Sequence, residues 1–138
     1  MSELRSIAIE TYNQAYELVV ENPKTNESAG LELAATSLNL WRRVGNEQNL
    51  AIGLWLYSHA LGNVGAQAAS IAAAKQSVEI AEGLEVDWLL ASGLEALTRA
   101  SVGSPEFANN FARAQAAIES ISDPEDRALI NSQFADLR

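Results

Sequence analysis

The chain of 138 residues has no cysteine, which excludes a disulfide, a thiolate nucleophile and any cysteine-ligated zinc or iron–sulfur centre. It has one histidine, His59, so a transition-metal site would have to be built mostly from carboxylates. No HExxH or paired ExxH spacing supports one, and no metal is expected. Phosphate-cradling GxGxxG and Walker-type loops are absent, as is the GxSxG elbow, so no cofactor is expected. Basic residues are scarce. Nine Lys and Arg stand against eighteen Asp and Glu, and the net charge of −9 repels phosphate backbones and anionic headgroups, making nucleic acid and membrane poor partners. Uninterrupted apolar runs are only a few residues long, far short of the roughly 20 needed to cross a bilayer. Glu3, Glu10 and Glu17 break up the N-terminal apolar residues, so no signal-peptide core is visible and a cytoplasmic location is expected.

What remains is rich in helix formers. Alanine occurs 24 times and leucine 17 times, whereas glycine and proline together occupy 11 positions. Apolar residues recur at spacings of three and four, with no sustained alternation, so the chain reads as one all-α domain spanning residues 1–138. Local punctuation divides it into seven helices. The first runs from about Ser2 to Val20 and stops before Asn22-Pro23. The second runs from about Glu27 to Val44, ending at Gly45-Asn46, residues that accept a left-handed conformation. The third covers about Glu47 to Val64, stopping at Gly65, and the fourth about Ala66 to Glu82, closed by Gly83. The fifth, about Val86 to Val102, starts among the carboxylates of Glu85 and Asp87, which favour a positive helix start. The sixth spans about Pro105 to Ile121 with Ser104 as N-cap. The seventh spans about Pro124 to Leu137, with Asp123 as N-cap and Pro124 at its first position.

Two stretches repeat. Aligning Gly65 with Gly103 sets Leu54, Tyr57, Ser58 and Leu61 before one turn, and Leu94, Leu97, Thr98 and Ser101 before the other. After the first turn come Ser70, Ala74 and Ser77; after the second come Ala108, Ala112 and Ala116 or Ala117. Bulky residues on the first helix of a hairpin and small ones on the second let the helix axes approach closely. This pattern resembles the tetratricopeptide repeat, a helix–turn–helix of 34 residues. Leu54 and Ser58 stand where that repeat has tryptophan and glycine, and Gly83 where it has proline. Residues from about Trp41 to the end also resemble small bacterial tetratricopeptide-like proteins, through Glu95, Ala96, Leu97, Arg99 and Ala100 and then Asp123-Pro124-Glu125-Asp126-Arg127. The resemblance implies a short right-handed α-solenoid of about three antiparallel hairpins with a concave face, closed by the seventh helix as a cap.

It also implies which residues face that groove. Counting from Leu54 places Trp55 and His59 inward, and counting from Leu94 places Glu95 and Arg99 at the matching positions. Asn63 and Ser92 extend the floor, and Trp88 closes one end. Each has a plainer reading. Glu95 and Arg99 form an i, i+4 ion pair of the kind common on solvated helix faces, and Trp55 and Trp88 are large enough to be core. Ser58 beside His59 is no catalytic pair, because adjacent helical residues point about 100° apart.

The expectation is a non-enzymatic module that binds a protein or peptide segment in its concave groove. A homodimer is the alternative, motivated by the Ala/Ser-rich fourth helix and by Leu38, Leu50, Leu56 and Leu89, more bulky residues than one small stack obviously buries. A third reading is a small-molecule or enzymatic pocket with Glu95 and His59 as acid and base. Residues 1–69 carry seven acids and four bases, net −3, and residues 70–138 eleven and five, net −6, which favours a basic partner on the C-terminal half.

Overall fold

The computed structural model describes residues 3–138, and among them are seven α-helices and no strand. They are α1 (Glu3–Tyr16), α2 (Glu27–Val44), α3 (Glu47–Asn63), α4 (Gln67–Leu84), α5 (Asp87–Ala100), α6 (Phe107–Glu119) and α7 (Pro124–Phe134). The start expected at Ser2 lies outside the described residues.

Side-chain caps set three of the helix starts. Asn26 accepts the Ala29 N–H at 3.2 Å, and Asn46 and Asn49 bond each other's backbone N–H at 2.9 and 3.2 Å. Asp123 accepts the N–H groups of Glu125 and Asp126 at 2.8 and 3.1 Å, which satisfies donors that the first helical turn leaves open.

Several boundaries differ from the sequence reading. The first helix does not continue regularly to Val20. After Tyr16 it widens into a π-helical turn, Glu17–Glu21, in which the Asn22 N–H reaches back to the Glu17 carbonyl at 2.9 Å. The Asn63 side chain on α3 donates to the Val19 carbonyl at 2.9 Å, so the irregular turn is held by a neighbouring helix. Gly45 is extended, with φ −94° and ψ 177°, and not left-handed. A Cβ there would come within 2.8 Å of the Trp41 carbonyl oxygen and 2.9 Å of its ring, so close approach demands the glycine. Gly83 does not close α4. The helix runs on to Leu84 and its left-handed cap is Glu85, at φ 57°. The sixth helix begins at Phe107, two residues beyond Pro105, and Ser104 bonds only to Glu106, accepting its N–H at 3.3 Å and donating to its carboxylate at 2.9 Å. The last turn after α7, Ala135–Leu137, tightens to 3-10 geometry.

Gly65 and Gly103 are both left-handed, at φ 79° and 83°, but they sit one and two residues past their helix caps, in links of three and six residues, so the two turns are not equivalent. The residues that end the helices before them, Val64 and Ser101, share φ −95° and ψ 7°.

Consecutive helices pack on one another, and the odd-numbered helices also touch in series, α1 on α3, α3 on α5 and α5 on α7. Small residues make these approaches close. Ser58 and Ser70 each donate to the other's backbone carbonyl, at 2.8 and 2.7 Å, and Ser77 donates to the Ala51 carbonyl at 2.8 Å. The Ala/Ser face of α4 is therefore spent on α3 and α5 within the chain. Leu38, Leu56 and Leu89, which had suggested a seam between copies, are buried inside the monomer, and Leu50 is half-buried. The central element is α5, almost wholly enclosed, and Phe134 after it is fully buried against Phe111 at a ring distance of 5.0 Å.

Candidate functional site

The middle of α5 carries a carboxylate in the core. Glu95 is fully buried. Its Oε1 accepts the indole N–H of Trp55 at 2.8 Å and lies 2.9 Å from Nε2 of His59, both from α3. Its Oε2 accepts Nε–H of Arg99, one turn along α5, at 2.7 Å. Burial acts to raise the carboxyl, but the charges and hydrogen bonds of His59 and Arg99 outweigh it and hold Glu95 below the usual carboxylate range. An ionised carboxylate only accepts, so Nε2 of His59 is the donor in this contact.

Arg99 extends the network to the C-terminus. Its two terminal nitrogens donate to Asp136, at 2.6 and 2.8 Å, and one of them also reaches the Gln133 carbonyl at 3.0 Å. This bidentate clasp lowers the Asp136 carboxyl from its ordinary value. The cluster thus ties α3, α5 and the end of α7 together through one buried acid.

Along the same row of helices runs an apolar cleft of about 370 Å³. Tyr12 and Tyr16 of α1, Trp55 of α3 and Trp88 of α5 line it, with Leu129 and Ile130 of α7 on the far wall. Tyr16 stacks on Trp55 with ring centres 6.2 Å apart and planes 26° apart. Burial, and to a lesser extent Tyr16, pushes the Tyr12 phenol well above its ordinary value, so it stays neutral. Leu129 at the rim of the cleft is 58% exposed. Trp55 and Gln133 also border a polar pocket of about 250 Å³ lined by His59, Asn63, Arg99 and Asp136. The apolar cleft and the polar pocket therefore adjoin.

The residues expected in the groove divide among these features. Trp55, Trp88 and Ser92 line the apolar cleft, although Trp55 is only 6% exposed and Ser92 uses its hydroxyl on the Trp88 carbonyl at 2.9 Å. His59, Asn63 and Arg99 line the polar pocket. Glu95 does not face a groove at all. It is enclosed, and the Glu95–Arg99 pair is an interior brace that no solvated helix face would need. Sequence reasoning missed Tyr12, Tyr16, Leu129 and Asp136. The i, i+4 pair of tyrosines on α1 was the available signal for the first two.

A larger cleft of about 810 Å³ lies elsewhere, between α4 and α6. Lys75 and Arg113 alternate there with Glu79, Glu82 and Glu106, a mixed and solvated lining that converges on nothing. Among the described residues, no group of three or more histidine or acidic side chains is placed to hold a metal, and no helix is long and apolar enough to cross a membrane. No family model, no curated protein and no solved structure matches this chain.

Proposed function

We propose that the chain is a non-enzymatic interaction module of tetratricopeptide-like architecture, binding a peptide segment of a partner protein along the face where α1, α3, α5 and α7 meet. The observation that carries this reading is the aromatic cleft with a half-open leucine at its lip. Water gains nothing from Tyr12, Trp88 and Leu129, and an apolar cleft with a few polar groups at one end suits a side-chain anchor and its flanking backbone. The series of contacts among odd-numbered helices is what a short solenoid would have. The acid–base alternative loses its acid, because Glu95 is sealed off with donors on both oxygens.

Peptide display tests the reading. A random peptide library is panned against the wild-type protein and against a Trp88→Ala, Leu129→Glu double variant. Leu129 is exposed, but Trp88 is half-buried against the core, so circular dichroism and a thermal melt first establish that the variant is folded. Peptides enriched by the wild type and lost on the variant support the cleft. If the two proteins enrich the same peptides equally, the cleft is not the binding surface.

A further inference from the structure

The apolar cleft and the polar pocket share a wall, and the seventh helix supplies part of it. Leu129, Ile130 and Gln133 of α7 line the cleft, and Gln133 and Asp136 line the pocket. Yet little apolar surface holds α7 in place. Of its eleven residues only Ile130 and Phe134 are buried, the fewest on any α-helix among the described residues, against nine on α5. Polar ties to α5 secure its two ends, and the two differ. At the start, Asp87 accepts the N–H and the hydroxyl of Ser122 at 3.0 and 3.1 Å, and the preceding Ile121 is anchored in the core. At the far end the tie is ionic. Arg99 donates to both oxygens of Asp136, at 2.6 and 2.8 Å, and to the Gln133 carbonyl at 3.0 Å, and the Asp136 side chain is 63% exposed. A solvated ion pair is a weaker tie than a sealed one, and an element with few buried apolar contacts opens before the rest of a fold.

We propose that α7 is a hinged lid, pivoting at Ser122–Asp123 and latched by Asp136 on Arg99. As it opens, the Phe134 end lifts away from Phe111 and the latch is released. Gln133 then leaves the wall between the two hollows, so the apolar cleft and the polar pocket become one site, and the terminal nitrogens of Arg99 are freed while its Nε stays on Glu95. The contacts of Trp55 and His59 with Glu95 lie between α3 and α5 and survive the opening. The device goes beyond the peptide-binding reading and does not depend on it.

Hydrogen exchange of the full chain in low urea, read amide by amide by NMR, tests the lid. In the wild type the amides of residues 129–134 are expected to exchange about tenfold or more faster than those in the middle of α3 and α5. Their rates should also rise less steeply with urea, because lifting one helix exposes less surface than unfolding the chain. Asp136→Ala removes the latch by changing an exposed side chain, and should raise the α7 rates about fivefold. The slowest amides of α3 and α5 should rise by the same factor, since the latch is also lost on global unfolding. If the α7 amides share the rate and the urea slope of α5 in the wild type, the helix opens only with the whole fold and there is no lid; this comparison needs no variant. A rise in the core amides of Asp136→Ala without one in α7 would mean that α7 frays while Asp136 stays bound, which overturns the latch. Rates unchanged everywhere in the variant overturn it too, because Asp136 would then hold nothing.

Discussion

The Trp55 indole and the Glu95 carboxylate meet at 2.8 Å across α3 and α5, in a place where neither is open to solvent. That contact joins the interior of the fold to the wall of the cleft. Changes at Trp55, Glu95 or Arg99 therefore report on stability first, and binding studies are better served by Trp88 and Leu129.

Glu95→Gln should destabilise the protein by about 3 kcal/mol at neutral pH, the scale for removing one partner of a buried, hydrogen-bonded ion pair. The shape is preserved, but the glutamine amide presents a donor where the carboxylate accepted three. Arg99 keeps Asp136 and so is not left wholly unpaired. Urea unfolding monitored by circular dichroism measures the difference, and a change below about 1 kcal/mol would show that the network contributes specificity of packing rather than stability.

Acid should weaken the wild type through the same group. Glu95 is lowered by His59 and Arg99 against the cost of burial, and Asp136 is lowered by the hydrogen bonds from Arg99. Asp87 is lowered by the Ser122 N–H. Carboxyls depressed in the folded state bind protons more readily in the unfolded chain, so their stabilisation is complete above the unfolded values of about 4 and is lost as pH falls through the folded ones. The melting temperature should hold near neutrality and drop below about pH 4. The gap between wild type and Glu95→Gln should narrow over that acidic range, and parallel curves would refute the assignment to Glu95.

How much of this was legible in the sequence depends on how local each signal is. Asn26, Asn46 and Asp123 act within their own first turns, and their helices begin where the sequence places them. Gly45 and Gly83 differ from the sequence reading because composition does not say which residue carries the left-handed turn: Gly45 is needed for close approach to the Trp41 carbonyl and ring, and α4 runs past Gly83 to be capped by Glu85. The inner row of Trp55, His59, Glu95 and Arg99 follows from counting along each helix from Leu54 and Leu94, but that register does not say how deep a position lies. It placed Glu95 in a groove when the residue is in the core. Tyr12 and Tyr16 fell outside the aligned repeats, and Asp136 lies in a terminal turn whose pairing with Arg99 spans 37 positions.

Two glycines should respond in opposite directions to alanine. Gly83 lies within α4 with nothing within 4 Å of a built Cβ, so Gly83→Ala should stabilise by up to about 1 kcal/mol through helix propensity alone. Gly93 faces α4, where a Cβ would sit 3.0 Å from Cγ2 of Val78 and 3.2 Å from its backbone nitrogen. The backbone cannot rotate away, so Gly93→Ala should force α4 and α5 apart and destabilise by about 1 kcal/mol after the propensity gain is subtracted. Thermal melts of the two variants check the pair. Equal shifts would mean that the α4–α5 spacing is looser than the structure has it.

Glu85 presents the reverse case, a side chain where glycine is favoured. Its φ of 57° and ψ of 40° put it in the left-handed region, which costs a non-glycine residue about 1–2 kcal/mol. The turn needs that conformation, because it lets the Glu85 N–H reach the carbonyls of Ala81 and Glu82, at 3.0 and 3.3 Å, before the chain reverses into α5. The side chain itself is exposed and makes no contact that its removal would forfeit. Glu85→Gly should therefore stabilise the protein by about 1 kcal/mol, with part of the relieved strain returned as the greater chain entropy of glycine when unfolded. Glu85→Ala keeps the Cβ and removes only the charge, so it should leave stability nearly unchanged. Urea midpoints of the two variants separate backbone strain from charge, and a larger gain for alanine than for glycine would assign the effect to electrostatics.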